Sequence, residues 1–99
     1  MNTTVIKGID KQYIKQNLSL PSVVSFCTGE SIPHGGMIIC PFHPENSPSC
    51  KIYEDHFHCF GCNRHGDVIQ WVIEWEKSAG HDITFQQALH LCNELLQDR

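Results

Sequence analysis

The chain has 99 residues, 40% of them hydrophobic, with seven Lys plus Arg against eleven Asp plus Glu and a formal net charge of −4. That length fits one domain, residues 1–99, with a core small enough to benefit from a covalent or metal staple. The acidic balance argues against a broadly basic polyanion-binding surface, and apolar runs of four residues or fewer exclude a bilayer-spanning helix.

Six cysteines would suit three disulfides in a secreted protein, but the N-terminus has no basic start or apolar run of the signal-peptide kind. The expectation is therefore a soluble, cytoplasmic chain with reduced thiols and no membrane partner.

From Ile9 to Leu18, Ile9, Tyr13, Ile14 and Leu18 recur at helical spacing, with Asp10 placed to cap the start. Ser19 as cap and Pro21 early in the next segment introduce a second helix carrying Val23, Val24, Phe26 and Cys27, which Gly29 would stop. Between Ser31 and Cys62 the texture changes to Pro, Gly, Cys and His. Met37 to Cys40, Cys50 to Tyr53 and His56 to Cys59 read as strands, with turns at Gly35-Gly36 and Glu54-Asp55.

Asp67 can cap a helix bearing Val68, Ile69, Val72, Ile73 and Trp75, ended by Gly80. Thr84 and Gln87 have capping-box spacing, and Phe85, Ala88, Leu89, Cys92, Leu95 and Leu96 follow as an apolar stripe. The expected fold is α+β: a small antiparallel sheet flanked by N- and C-terminal helices.

The chemistry concentrates in the middle. Cys40-Pro41-Phe42-His43 and Cys59-Phe60-Gly61-Cys62 each place two potential ligands around two residues, with fifteen residues between the pairs. Such a pair folds into a tight knuckle that aims both side chains at one ion, and two knuckles complete a tetrahedron, so the set Cys40, His43, Cys59 and Cys62 implies a zinc ribbon. Four protein ligands leave no open position for an activated water, which makes the Zn2+ structural rather than catalytic. A paired second set also favours metal over thiol redox chemistry at Cys59 and Cys62.

Alternation along the third strand puts His56 and His58 on the face opposite Phe57 and Cys59, while His34 falls in a loop. Cys27 and Cys92 lie on apolar helix faces and read as core. Cys50 heads a strand, and no spacing implies a partner for it.

Cys40-Pro41-Phe42-His43, Pro48-Ser49, His58-Cys59-Phe60-Gly61-Cys62 and Gly66-Asp67-Val68-Ile69 together resemble the zinc-binding domain of bacterial DNA primases. The likeness extends to Pro21–Cys27 with Gly29-Glu30 and to Thr84–Ala88, covering Ile9 to Leu96. It implies a zinc ribbon on an antiparallel sheet, a single-stranded DNA template as partner, and a role in primer initiation alongside a separate primase catalytic domain or a replicative helicase.

The chain has no Asp-x-Asp motif, so it is expected to be no enzyme by itself. It departs from the family around Pro48-Ser49, where Asn46 and Cys50 stand in place of the usual basic and aromatic residues, which implies a weakened template face. The candidates for DNA contact are Lys51, Arg64, His65 and Phe57, with Tyr53 a further aromatic on which bases could stack. Phe57, Phe60 and Trp71 also qualify as core aromatics, and for Lys51 and Arg64 the alternative is ordinary solvated charge. The rival function is a zinc-stapled protein-interaction or regulatory module of a replication or mobile-element protein.

Overall fold

The computed structural model describes residues 11–97. Its elements run in the order α1 (Lys11–Asn17), α2 (Leu20–Thr28), β1 (Met37–Ile38), β2 (Cys50–Ile52), β3 (Phe57–Cys59), β4 (His65–Gly66), α3 (Val68–Ser78) and α4 (Phe85–Gln97). The four strands form one antiparallel meander in the order β1-β2-β3-β4. The α+β architecture expected from the sequence is the one observed.

Local chemistry accounts for the boundaries. Ser19 accepts a hydrogen bond from the Ser22 amide at the start of α2, and Gly29 ends it in the left-handed region at φ 78°. Asp67 caps α3 through Oδ1, which accepts from the Gln70 amide at 2.9 Å. Thr84 and Gln87 form the reciprocal capping box: the Thr84 amide donates to Gln87 Oε1 at 2.8 Å and the Gln87 amide to Thr84 Oγ1 at 3.1 Å. The proposed Asp10 cap and Ile9 start of the first helix lie outside the described residues.

The β2–β3 hairpin turns through Glu54-Asp55 alone, closed by the Tyr53 amide donating to the His56 carbonyl at 2.9 Å. Gly36 sits at φ 77°, where an added Cβ would lie 2.6 Å from the Ile52 carbonyl oxygen, so both backbone conformation and space require glycine. The strand β4 was not foreseen. Its two residues are short and weakly patterned, and their pairing with β3 places Gly66 opposite Phe57 and His65 opposite His58.

One buried cluster joins the layers. Ile14, Leu18, Leu20, Val23 and Val24 from α1, α2 and their junction meet Ile52, Phe57, Ile69, Trp71, Val72, Ala88, Leu89 and Cys92. Trp71 is central: it lies edge-on to Phe42 at 4.8 Å and to Phe57 at 5.2 Å, and stacks with Trp75 at 6.2 Å. Phe42 belongs to the first cysteine-histidine knuckle, so this aromatic cluster ties the knuckle to both sheet and helix. Phe60 is a correction to the expected core, being 65% exposed.

Asp67 also approaches Lys15 at 3.8 Å, linking α1 to the start of α3. Replacement Asp67→Ala should lower stability by about 1 kcal/mol, and Asp67→Asn by less, because asparagine retains the capping oxygen. Urea unfolding in saturating zinc checks this; equal loss in both variants would show that the charge rather than the cap matters.

Candidate metal centre and outer sheet face

The two knuckles converge. Ligand atoms of Cys40, His43, Cys59 and Cys62 all lie within 4.8 Å of one another, the group the spacing predicts. Cys40 Sγ is 3.9 Å from Cys62 Sγ, and Cys59 Sγ is 4.0 Å from His43 Nδ1. Sulfur atoms sharing one tetrahedral zinc at about 2.3 Å stand about 3.8 Å apart, so the donor set fits zinc in both chemistry and spacing. Cys40 and Cys59 are buried, while His43 and Cys62 are half-buried at the rim.

Backbone amides prepare the sulfurs. The Phe42 amide points at Cys40 Sγ at 3.4 Å, and the Gly61 and Cys62 amides point at Cys59 Sγ at 3.3 and 3.4 Å. Burial raises the Cys59 thiol pKa, but the contact with Ser49 Oγ and the hydrogen bonds from the Cys62 and Gly61 amides outweigh it, bringing it down to about 6. At Cys59 the thiolate form is thus favoured, whereas burial pushes the Cys40 thiol up despite the Phe42 amide. Asn63 completes the second knuckle at φ 67°, donating its amide to the Cys59 carbonyl at 2.8 Å.

Glu45 was not singled out from the sequence, yet it organises the centre. Its Oε1 lies 3.2 Å from His43 Nε2 and accepts a hydrogen bond from Ser49 Oγ, while Oε2 accepts from the Cys40 amide. His43 therefore turns Nδ1 toward the cysteines and Nε2 toward a carboxylate, the arrangement that fixes a metal-binding imidazole in one orientation. The Ser49 hydrogen bond, then the Cys40 amide, and more weakly the charge of His43, hold the Glu45 carboxyl below its ordinary range. An acid two residues beyond a candidate histidine ligand is the signal that would have found it.

Gly61 is required by proximity. A Cβ there would lie 2.9 Å from both His43 Nε2 and Ser49 Oγ. The second knuckle can close against the first only without a side chain at this position.

On the other side of the sheet, register aligns Met37, Lys51, His58 and His65 in one row across all four strands. Phe60 packs beside His58 at 4.5 Å, and His58 stacks near His65 at 5.7 Å. Tyr53 carries His56 stacked at 4.1 Å on its ring and Lys51 Nζ at 5.6 Å from its centroid. Lys51 also donates to the Gly35 carbonyl, which holds its ammonium over the face.

Of the four DNA-contact candidates, this row brings Lys51 and His65 together. Phe57 is corrected: it is 0% exposed, packs on Trp71 and presents no face to a base. The alternation that buries Cys59 buries Phe57 with it. Arg64 stands at the edge, its Nε 3.2 Å from Glu74 Oε1 and its guanidinium 5.9 Å from the Phe42 ring, so its charge is largely answered within the fold. Phe60 and His58 are the face residues that sequence reasoning set aside, Phe60 because a knuckle aromatic reads as core.

Replacement Glu45→Gln should weaken zinc affinity roughly 10- to 100-fold while leaving all four donors in place. Competition with a chromogenic chelator measures it, and an unchanged affinity would remove Glu45 from the account. Cys59→Ser should lose the metal and, with about 10 to 16 kcal/mol of apparent binding energy gone, cooperative unfolding as well; a variant keeping both would show the donor set to be wrong.

Comparison with known proteins agrees with this geometry. Residues 12–97 match the family described as the CHC2 zinc finger, of the DnaG zinc-ribbon type. The DNA primase of Thermotoga maritima is 34% identical over 79 residues, 77% of this chain and 13% of that protein. The DNA primase of Mycobacterium bovis is 41% identical over 63 residues, 62% of this chain and 8% of that protein. That of Chlamydia trachomatis is 46% identical over 37 residues, 35% of this chain and 6% of that protein. This chain thus spans only a small part of the length of the primases it matches, and no solved structure matches it. With its paired knuckles, its helix-flanked sheet and a match over nearly its whole length, the chain belongs to the CHC2 zinc finger family of zinc-binding domains.

Proposed function

We propose that residues 1–99 form a single zinc-stapled module that binds single-stranded DNA template and supports primer initiation, with no catalysis of its own. Cys40, His43, Cys59 and Cys62 hold the zinc as a structural ion, since all four positions are filled by protein donors. The observation that carries the DNA reading is the row Lys51, His58 and His65 with Phe60 and Tyr53 beside it, all on the sheet face opposite the core. That the related proteins are DNA primases supports the same reading.

A face of this kind suits a single strand. Phe60 and Tyr53 offer exposed rings on which bases stack regardless of sequence, and Lys51 supplies the cation for a phosphate. With Arg64 paired to Glu74, few phosphates can be neutralised. Binding is therefore modest and weakly salt-dependent, with the rest of a primase, or a replicative helicase, supplying most of the hold on template.

A second reading is favoured by one region. Phe26 is 70% exposed beside an apolar groove of about 490 Å³ lined by Leu18, Pro21, Val23, Ile32 and Leu95, on the helical side of the molecule. With a net charge of −4, a module that has exchanged DNA affinity for a protein partner would use such a surface.

Fluorescence anisotropy with a single-stranded oligonucleotide at low salt, on zinc-loaded protein, separates the two. Phe60→Ala should cost about 1 to 3 kcal/mol of binding. Lys51→Ala should weaken binding and flatten the log–log salt slope by about 0.7, one phosphate's worth. No binding at low salt by protein confirmed to hold zinc would overturn the DNA reading and leave the protein-partner one.

A further inference from the structure

Cys50 is not among the four metal-site donors, yet the sheet places it against one of them. It is 0% exposed, as is Cys59, and the two are register partners across β2 and β3. The hydrogen bonds of the hairpin tell which kind of pair they are. The Tyr53 amide donates to the His56 carbonyl and the Phe60 amide to the Ser49 carbonyl. Bonded pairs alternate along an antiparallel ladder, so Tyr53/His56, Lys51/His58 and Ser49/Phe60 are bonded, and Cys50/Cys59 is a non-bonded pair. In such pairs the Cα atoms stand about 4.5 Å apart and the side chains, on the same face, are closer than in bonded pairs. That Cα spacing lies at the short end of the roughly 4.4 to 6.8 Å range that disulfides span.

We propose that Cys50 and Cys59 are a redox-modification site: a hydroperoxide oxidises them to a cross-strand disulfide, which takes Cys59 from the zinc and releases the ion. The Cys59 thiolate attacks the O–O bond of the peroxide, giving a sulfenic acid and hydroxide. The Cys50 thiol then attacks the sulfenic sulfur, forming the S–S bond and expelling water. Two sulfurs are oxidised, one peroxide is reduced, and Cys59 leaves the metal's coordination shell. The remaining Cys40, His43 and Cys62 set has one donor fewer than a structural zinc site requires.

Cys50 is the suited partner because the β2–β3 register sets it directly opposite Cys59 in the zinc-loaded fold. Cys40 and Cys62 are the alternatives, but each sits in a knuckle whose closure depends on the ion. Cys62 is half-buried, which puts one edge of the cluster within reach of a water-sized oxidant. The link would join the two strands that carry Lys51 and His58, keeping the hairpin paired while freeing the knuckles.

The test treats zinc-loaded protein with hydrogen peroxide, follows zinc with a chromogenic chelator, and maps disulfides by mass spectrometry with fragmentation. The expected result is loss of the bound zinc, a mass lower by two hydrogen atoms, a Cys50–Cys59 linkage, and recovery of zinc binding after dithiothreitol. In Cys50→Ala the dithiothreitol-reversible loss should disappear. Linkage of Cys59 to Cys40 or Cys62, zinc retained with all thiols free, or Cys50→Ala cycling like the wild type would each overturn the proposal. If Cys50→Ala does not hold zinc at all, the wild-type linkage map decides alone. These readouts do not involve DNA, so they stand or fall independently of the template-binding reading.

Discussion

Everything in the middle of this molecule depends on bringing four donor atoms within 4.8 Å of one another. The strands are two or three residues long, and such strands hold few ladder hydrogen bonds. What fixes them is a cross-link between knuckles at Cys40–His43 and Cys59–Cys62, which closes a loop containing β2 and most of the hairpin. A structural zinc contributes free energy comparable to the whole stability of a small domain, so metal binding and folding of this region are one event.

The cross-link reaches outward in two directions. Inward, Phe42 leaves the first knuckle and packs edge-on against Trp71, with Phe57 from β3 completing the contact. This couples the metal centre to α3 and hence to the helical core. Outward, the same register that buries Phe57 and Cys59 leaves His58 half-buried on the opposite face and aligns it with Lys51 and His65. The exposed face is in this sense the reverse side of the zinc site. A one-residue slip would exchange the two faces, which Gly36, the two-residue turn at Glu54-Asp55 and the ligands themselves all oppose.

Much of this was legible in the sequence because it rests on local chemistry. Knuckle spacing, the Asp67 cap, the Thr84–Gln87 box and the glycine stop of α2 each follow from a few neighbouring residues, and the structure contains all of them. What was not legible is set by tertiary approach. The strand β4 exists because β3 offers it a free edge. Glu45 matters because the loop folds back on His43, and Gly61 because His43 and Ser49 close over it. Phe57 is core, as one of its two readings had it, and Phe60 is not: the ladder continues past Cys59 through the Phe60 amide to the Ser49 carbonyl, so the alternation that buries Phe57 and Cys59 turns Phe60 out.

The most direct test of the account is to record amide chemical shifts of the zinc-loaded, isotopically labelled protein as a single-stranded oligonucleotide is added. Perturbations should concentrate at Met37, Lys51, Tyr53, His58, Phe60 and His65, the outer row and its neighbours, with the groove around Phe26 unmoved. Perturbations centred on Phe26 and Leu95, or none at any concentration in protein that retains its zinc, would contradict it.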